Sequence, residues 1–528
     1  MARPLTPRLN PGLSCLRCGG SVKRDGEIQG QQRYACRVCG CRSTAVRGKE
    51  KANAKGIDRE SADALHKTVR DAEGVQRYVI TSAQNATPIN KPFFESLQTY
   101  CRLAKATLLV IPYRYKNPTS IWSEKAQEDD WWTAEVIPHL IDRRIDLNPN
   151  LVLLADIKTQ PTAISPLTGF ETITGAKSGI IGHPKIELIT VPTPQQKLPK
   201  VLTTTGAVTK QNYLPSRVGK RGEFHHTFGA AIVEIVGSTF HLRQINAARD
   251  GTFFDLNHHY TPKGRKTFPI AALIMGDSHV EFIDPLVREA TFGMGGIVQA
   301  LRPPVLVWHD VHDFYSRSHH HRNEVFINYV KHHTGRDNVE AWLDHTFKFI
   351  DDVTGPGTKN IFVPSNHPEH LARWVKETDP RTDPENCVFW ARTFEAMCEG
   401  AKWHDTGART IDPFAYWAMK KLKTAAQARF LVREESCQIK GVEVGYHGDQ
   451  GPNGAKGSRL GFSRIGTRVI IGHTHSPGIR EGVYQVGTSS RYGLEYARGP
   501  SSWLQTHCVV YQSGKRSLIN IIDGAWRA

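Results

Sequence analysis

Apolar runs of strand length alternate with polar clusters along this chain, and from about Thr267 onward the two meet in a repeated way. "FPIAALIMGDSHVE" runs apolar into Gly276, Asp277, Ser278 and His279, and "RPPVLVWHDVHDF" ends in His309, Asp310, His312 and Asp313. "NIFVPSNHPEH" ends in Asn366 and His367, "GVEVGYHGDQG" in His447, and "RVIIGHTHSPG" in His473 and His475. Short β-branched runs closed by glycine predict buried strands. Their polar tips would then lie at the carboxyl edge of a sheet, where open α/β proteins keep their sites. Any one such tip is ordinary; five in series are hard to obtain from packing alone.

Upstream, "RYVITSAQNATPINKPFFESLQTYCRLAKATLLVIPYRY" predicts strand, loop, helix and strand. An apolar run at 78–80 precedes "TSAQNATP", Phe93, Phe94, Leu97 and Cys101 recur at helical spacing, and "TLLVIPY" follows. More strands are expected at "LVLLADI" and "KIELITVP", and a hairpin at "AAIVEIVGSTFHLRQI". With 528 residues, the chain exceeds one ordinary core. The expected class is α/β, with a zinc ribbon at 1–48, a helical linker at 49–74, a middle α/β domain at 75–265 and a last domain at 266–528. The loop from Lys197 to His226 carries Lys200, Lys210, Arg217, Lys220 and Arg221. It suits contact with a phosphate backbone, and a plain solvated loop equally well.

Charge changes the picture at the N-terminus. The whole chain carries +17, and residues 1–56 hold twelve basic against three acidic side chains, a balance of +9. Such concentration suits a polyanion, nucleic acid above all, or else a solubilising tail. Within it, "CLRCGGSVKRDGEIQGQQRYACRVCG" sets Cys15-x2-Cys18 and Cys36-x2-Cys39 apart by 17 residues. That spacing belongs to tetrahedral four-cysteine zinc. A segment so short cannot bury an adequate core, so one structural zinc would supply its folding free energy. Cys41 is a spectator or a substitute for Cys39. Arg17, Lys23, Arg24, Arg33 and Arg37 are candidate DNA contacts, and this stretch resembles the zinc ribbons of transposases and other DNA-handling proteins. No secretory signal and no spanning apolar run are seen, so a cytoplasmic protein without membrane contact is expected.

The order D-x-H, a bridging Asp, N-H, a lone His before Gly, then G-H-x-H resembles the calcineurin-like metallophosphoesterases, over about 265–528. The resemblance implies a four-layer αββα sandwich with a dinuclear centre. Asp277, His279 and His475 would bind the first ion, Asp310 would bridge both, and Asn366, His447 and His473 would bind the second. His367 would protonate the leaving oxygen or stabilise the transition state. Mixed His, Asp and Asn ligation fits manganese, iron or zinc better than magnesium, with manganese expected, and two such ions acidify water and clamp phosphoryl oxygens. His309 and Pro368 replace a glycine and an acid of the family pattern. In the SbcD-like repair nucleases a phosphate-contacting His lies three residues beyond the bridging Asp. Here that residue is Asp313, with His312 beside it; His312, His319, His320 and His321 are further DNA-contact candidates, although "SRSHHHRNEV" also suits an exposed polar helix start. "AKWHDTG" offers His404 and Asp405 as rivals to His447, without a preceding strand.

Ribbon plus phosphoesterase reads as a metal-dependent DNase acting on double-stranded DNA. The whole layout resembles the pre-early proteins with which tequintaviruses degrade host DNA. A phosphatase of proteins or nucleotides, or a DNA-binding regulator on a degenerate phosphoesterase fold, are the other readings. The complete ligand set weighs against the regulator, and the basic ribbon against the phosphatase. A nuclease this basic needs restraint, and a homo-oligomer that gates the site is one route.

Overall fold

A computed structural model describes residues 15, 21–28, 31–43, 56–117, 131–194, 198–404, 407–495 and 497–527. The chain is mixed α/β and divides into two compact units. One comprises Met1–Glu187, Leu202–Phe254 and His259–Lys266; the other comprises Leu188–Val201, Asp255–His258 and Thr267–Ala528.

In the first unit, Val22–Ile28, Gln31–Cys36 and Arg42–Ser43 form an antiparallel sheet. Its core is tiny: Cys15, Val22 and Cys36, flanked by Tyr34 and Cys41. Helix Arg59–Arg70 follows, capped by Asp58; residues 49–55 of the expected linker lie outside the described residues. The strand–helix–strand reading corresponds to Gln76–Gln84, Lys91–Ala104 and Thr107–Tyr113, with the two strands parallel. Asn90 caps the helix by accepting from Phe93 N–H, and Phe93, Phe94, Leu97 and Tyr100 form its buried face. Gly229–Val236 and Thr239–Asn246 pair as the expected hairpin and complete a four-stranded sheet.

Within the segment expected as a loop at 197–226, the described residues 198–226 are not one loop. Lys200–Thr204 is a buried strand, parallel to Ser178–Ile181, and Arg217–His225 is a helix capped by Ser216. "KVLTTT" has the β-branched content of a strand, which reading the segment by its charges alone obscured. Lys200 is buried, so it offers no surface charge.

The second unit carries two sheets. The first runs in the order Ala428–Phe430, Lys359–Phe362, Val305–Trp308, Ala272–Ile274, Thr506–Val510 and Arg516–Asn520. Its first four strands are parallel. The second sheet orders Gln438–Ile439, Val442–Glu443, Arg468–Ile471, Val483–Gln485, Gly478–Arg480 and Leu188–Val191. Arg516 joins them: its guanidinium donates to Val469 O (3.0 Å) and Gly482 O (2.7 Å) and lies 4.2 Å from the Tyr484 ring centroid. Helices cover the first sheet through aromatic contacts, with Phe292 and Phe349 on Trp308 and Phe414 on Phe430. Phe462, from helix Arg459–Ser463, packs on Val469, Ile471 and Val483 of the second. The parallel strands of each sheet deliver their carboxyl ends to one edge, which carries the polar tips.

His507 pins one of those ends. Fully buried, it accepts from Gly276 N–H at Nδ1 (2.9 Å), so in the neutral ring Nε2–H donates to Thr291 Oγ1 (3.1 Å). Burial pushes its pKa down to about 4, below the unfolded value of about 6.5. The unfolded chain therefore takes up this proton first. Stability from this group is complete above about pH 6.5 and falls by about 3 kcal/mol as pH drops to 4. His507→Gln should flatten the fall in urea midpoint between pH 7 and pH 4.5; an unchanged slope contradicts the assignment.

Candidate metal centre

Residues from five strand ends converge. Ligand atoms of Asp277, His279, Asp310 and His475 lie within 4.8 Å of one another, as do those of Asp310, His447 and His473. His279 Nε2 is 2.9 Å from His475 Nε2, His475 Nε2 is 3.2 Å from Asp277 Oδ2, and His447 Nε2 is 2.9 Å from Asp310 Oδ2. Asp310 belongs to both groups. Asn366 opens helix Asn366–Glu377 with its Oδ1 buried. The rival His404 stands exposed on the hairpin Lys402–His404/Gly407–Arg409, and Asp405 lies outside the described residues.

The backbone is bent to make this possible. His279 (φ 38°), Asp310 (φ 40°), His473 (φ 76°) and His475 (φ 58°) all adopt left-handed conformations, which side chains other than glycine rarely take and which cluster at functional sites. Main-chain bonds hold the turns: Ser278 N–H donates to His309 O, His279 N–H to Asp310 O, and Gly472 N–H to His447 O. Gly472 has no alternative, because a Cβ there would lie 2.2 Å from Asp277 Oδ1.

Several supporting residues were not singled out from sequence for these roles. Asp313 Oδ2 lies 2.9 Å from His279 Nδ1, which keeps the proton on that nitrogen and directs Nε2 into the centre. His367 Nδ1–H donates to Asp313 O (3.0 Å), and its ring meets His279 edge-on at 4.7 Å. His309, in the glycine position of the family pattern, is buried with its Nδ1 3.4 Å from His447 Nδ1. The signal for Asp313 was a carboxylate three residues past a ligand, yet its partner lies 34 positions away in sequence.

His312, a DNA-contact candidate, is engaged by neighbouring side chains instead of standing at the surface. It is fully buried, with Nδ1 2.7 Å from Glu281 Oε1 and 2.9 Å from Thr346 Oγ1, and Glu281 also accepts from the main-chain N–H of Asp313 and Phe314. It braces the turn after Asp310 from beneath. Of the three consecutive histidines, His320 is exposed and His319 and His321 are partly buried. His319 packs on His370, and His321 Nδ1 accepts from Lys331 Nζ (2.8 Å). Burial, then the charge of His320, lowers His319 to about 4, so near neutral pH it carries no charge toward a phosphate.

The buried donors test the fit to a metal. Neither carboxylate oxygen of Asp277 or Asp310, nor Asn366 Oδ1, has a hydrogen-bond partner in proper geometry, and such atoms are costly unless something satisfies them. Burial alone would raise both carboxyls, but His475 for Asp277 and His447 for Asp310 hold them below the ordinary value, Asp310 well below it. Burial would likewise depress the imidazoles; instead the Asp313 contact lifts His279 to about 9 and the charge of Asp310 lifts His447 to about 9. These oxygen and nitrogen donors fit divalent cations, which would compete with those protons.

In the N-terminal sheet, Cys15, Cys36 and Cys39 bring their sulfurs within 4.8 Å of one another, and Cys15 Sγ and Cys39 Sγ are 3.7 Å apart. Val38 and Cys39 N–H donate to Cys36 Sγ. These three sulfurs can hold a metal; Cys41 is not among them, and Cys18 and Arg17 lie outside the described residues. Lys23, Arg24 and Arg37 are exposed, while Arg33 pairs with Asp25 (3.2 Å). Among the described residues no helix is long and apolar enough to cross a membrane.

Protein A1 of Escherichia phage T5 is 33% identical over 485 residues, which cover 89% of this chain and 86% of that protein. No family model and no solved structure matches the chain.

Ligands must shed protons to bind metal. Because His279 and His447 hold theirs to about pH 9, manganese affinity should rise from pH 6 to pH 9 and titration should release protons. Calorimetry in buffers of different ionisation enthalpy reads both; an affinity flat with pH contradicts the assignment.

Proposed function

Because the chain belongs to the family of Protein A1 of Escherichia phage T5, we propose that it is a phage-encoded, metal-dependent deoxyribonuclease serving the degradation of host DNA. The observation that carries the reading is the convergence of Asp277, His279, Asp310, His447, His473 and His475, with orphaned buried oxygens among them; Asn366 Oδ1 is a further buried oxygen without a partner. Two sheets with helices outside them are what a four-layer αββα phosphoesterase sandwich requires.

Asp277, His279 and His475 would hold one ion, Asn366, His447 and His473 the other, and Asp310 both, with manganese the proposed ion and iron or zinc also suited to the mixed donor set. When bound, two such ions lower the pKa of water and neutralise the phosphoryl oxygens. The chain's own groups do the rest. Asp313 fixes the tautomer and orientation of His279. The Asp313 carbonyl fixes the Nδ1–H of His367, leaving Nε2 as the nitrogen that exchanges a proton with the leaving oxygen. Burial of the cluster excludes bulk water and strengthens every charge interaction within it.

A zinc-bound ribbon with exposed Lys23, Arg24 and Arg37 suits duplex DNA, because phosphate contacts give affinity without sequence information. Cleavage of linear and closed-circular DNA with manganese tests the reading. Asp310→Ala should reduce cutting below detection while DNA still binds. Replacing Cys15 and Cys18 with serine should weaken DNA capture and flatten its salt dependence, with little effect on a small diester. Retained cutting by Asp310→Ala, or hydrolysis of a phosphate monoester with DNA left intact, contradicts the nuclease.

A further inference from the structure

A cavity of about 380 Å³ lies beside the candidate centre and is lined by His447 itself, a size within the range of small-molecule pockets. Its apolar wall includes Tyr446, Phe462 and Ile465, and Gln450 and Asp449 supply polar groups. The Tyr446 ring is half-buried and lies against Phe462, at 5.9 Å between centroids and tilted by 31°.

Charge decides what such a cavity takes. Arg433, the guanidinium among its lining residues, is spent: Nε and Nη2 donate to the two oxygens of Glu369 (2.5 and 2.8 Å), and Nη1 to Asp449 Oδ1 (2.7 Å). Glu434 also lines it. A phosphate would meet no uncommitted lysine or arginine among the lining residues, whereas a flat, neutral heterocycle would meet an aromatic ring and an amide able to pair with its edge.

The rim is built rather than loose. Gly451 N–H donates to Ala455 O (2.6 Å), Gly457 N–H to Asp449 O (3.1 Å), and Gln450 bridges Lys456. Gly457 packs so closely that a Cβ would lie 1.8 Å from Gly448 O.

We propose that this cavity is a nucleobase subsite, taking one unstacked base next to the phosphate held at Asp310 and His447. The proposal rests on the reading of the centre as one that binds nucleic-acid phosphate. It makes the substrate DNA with a base swung out of the stack, single-stranded or locally opened, as enzymes that grip individual bases require. Stacking on Tyr446 would then tighten binding roughly 5- to 150-fold.

The test is calorimetric binding of thymidine 5′-monophosphate and of deoxyribose 5-phosphate to the full chain with manganese. Wild type should prefer the base-bearing ligand by roughly that factor. Tyr446→Ala should abolish the preference and leave deoxyribose 5-phosphate binding unchanged. Ile465→Trp, which fills the cavity from an exposed wall position, should do the same without removing the ring that packs on Phe462. Equal binding of the two ligands by wild type, binding of neither, or a preference that survives both variants overturns the subsite. A base preference in a chain that leaves DNA intact upholds the subsite and removes only the nuclease.

Discussion

Asp277 and Asp310 bury their carboxylates completely, with no hydrogen bond in proper geometry to any of the four oxygens, and most of the second unit is arranged around that expense. Buried carboxylates whose nearest partners, His475 at 3.2 Å and His447 at 2.9 Å, are imidazoles outside hydrogen-bond geometry are costly for a fold to carry. Four imidazoles, of His279, His447, His473 and His475, gather on the two carboxylates, four of the site residues accept left-handed backbone to do so, and Gly472 is kept small by Asp277 itself. A core built for stability alone would have used apolar side chains at the strand ends. Cation binding would explain why it did not.

The same economy appears at the N-terminus on a smaller scale. Three sulfurs meet over a core of Cys15, Val22 and Cys36, too little apolar surface to hold a sheet without help. Metal at both places would tie folding and function to the same ligands. At the ribbon it would order a basic surface; at the centre it would compensate carboxylates.

Much of the site was legible because a parallel strand announces itself as an apolar run and its functional tip follows within a few residues. Asp277, His279, Asp310, His447, His473 and His475 could be read in that way. Their supports could not, since Asp313 acts on His279 and Glu281 on His312 across loops that bring distant positions together. His312 shows the limit: its place beside Asp313 in sequence made it a phosphate-contact candidate, but it is buried against Glu281 and Thr346. The strand Lys200–Thr204 was hidden for another reason, since scattered lysines in a threonine-rich stretch look like a solvated loop until the sheet buries it. The cavity at Tyr446 left no sequence signal, because its walls come from four separate segments.

Electron paramagnetic resonance of the full chain loaded with manganese tests the central claim most directly, because it reads whether two ions share a ligand. The account predicts two manganese ions per chain and the spectrum of a spin-coupled pair, which Asp310→Ala converts to that of isolated ions. A wild-type chain showing only isolated ions, or none held, would contradict it.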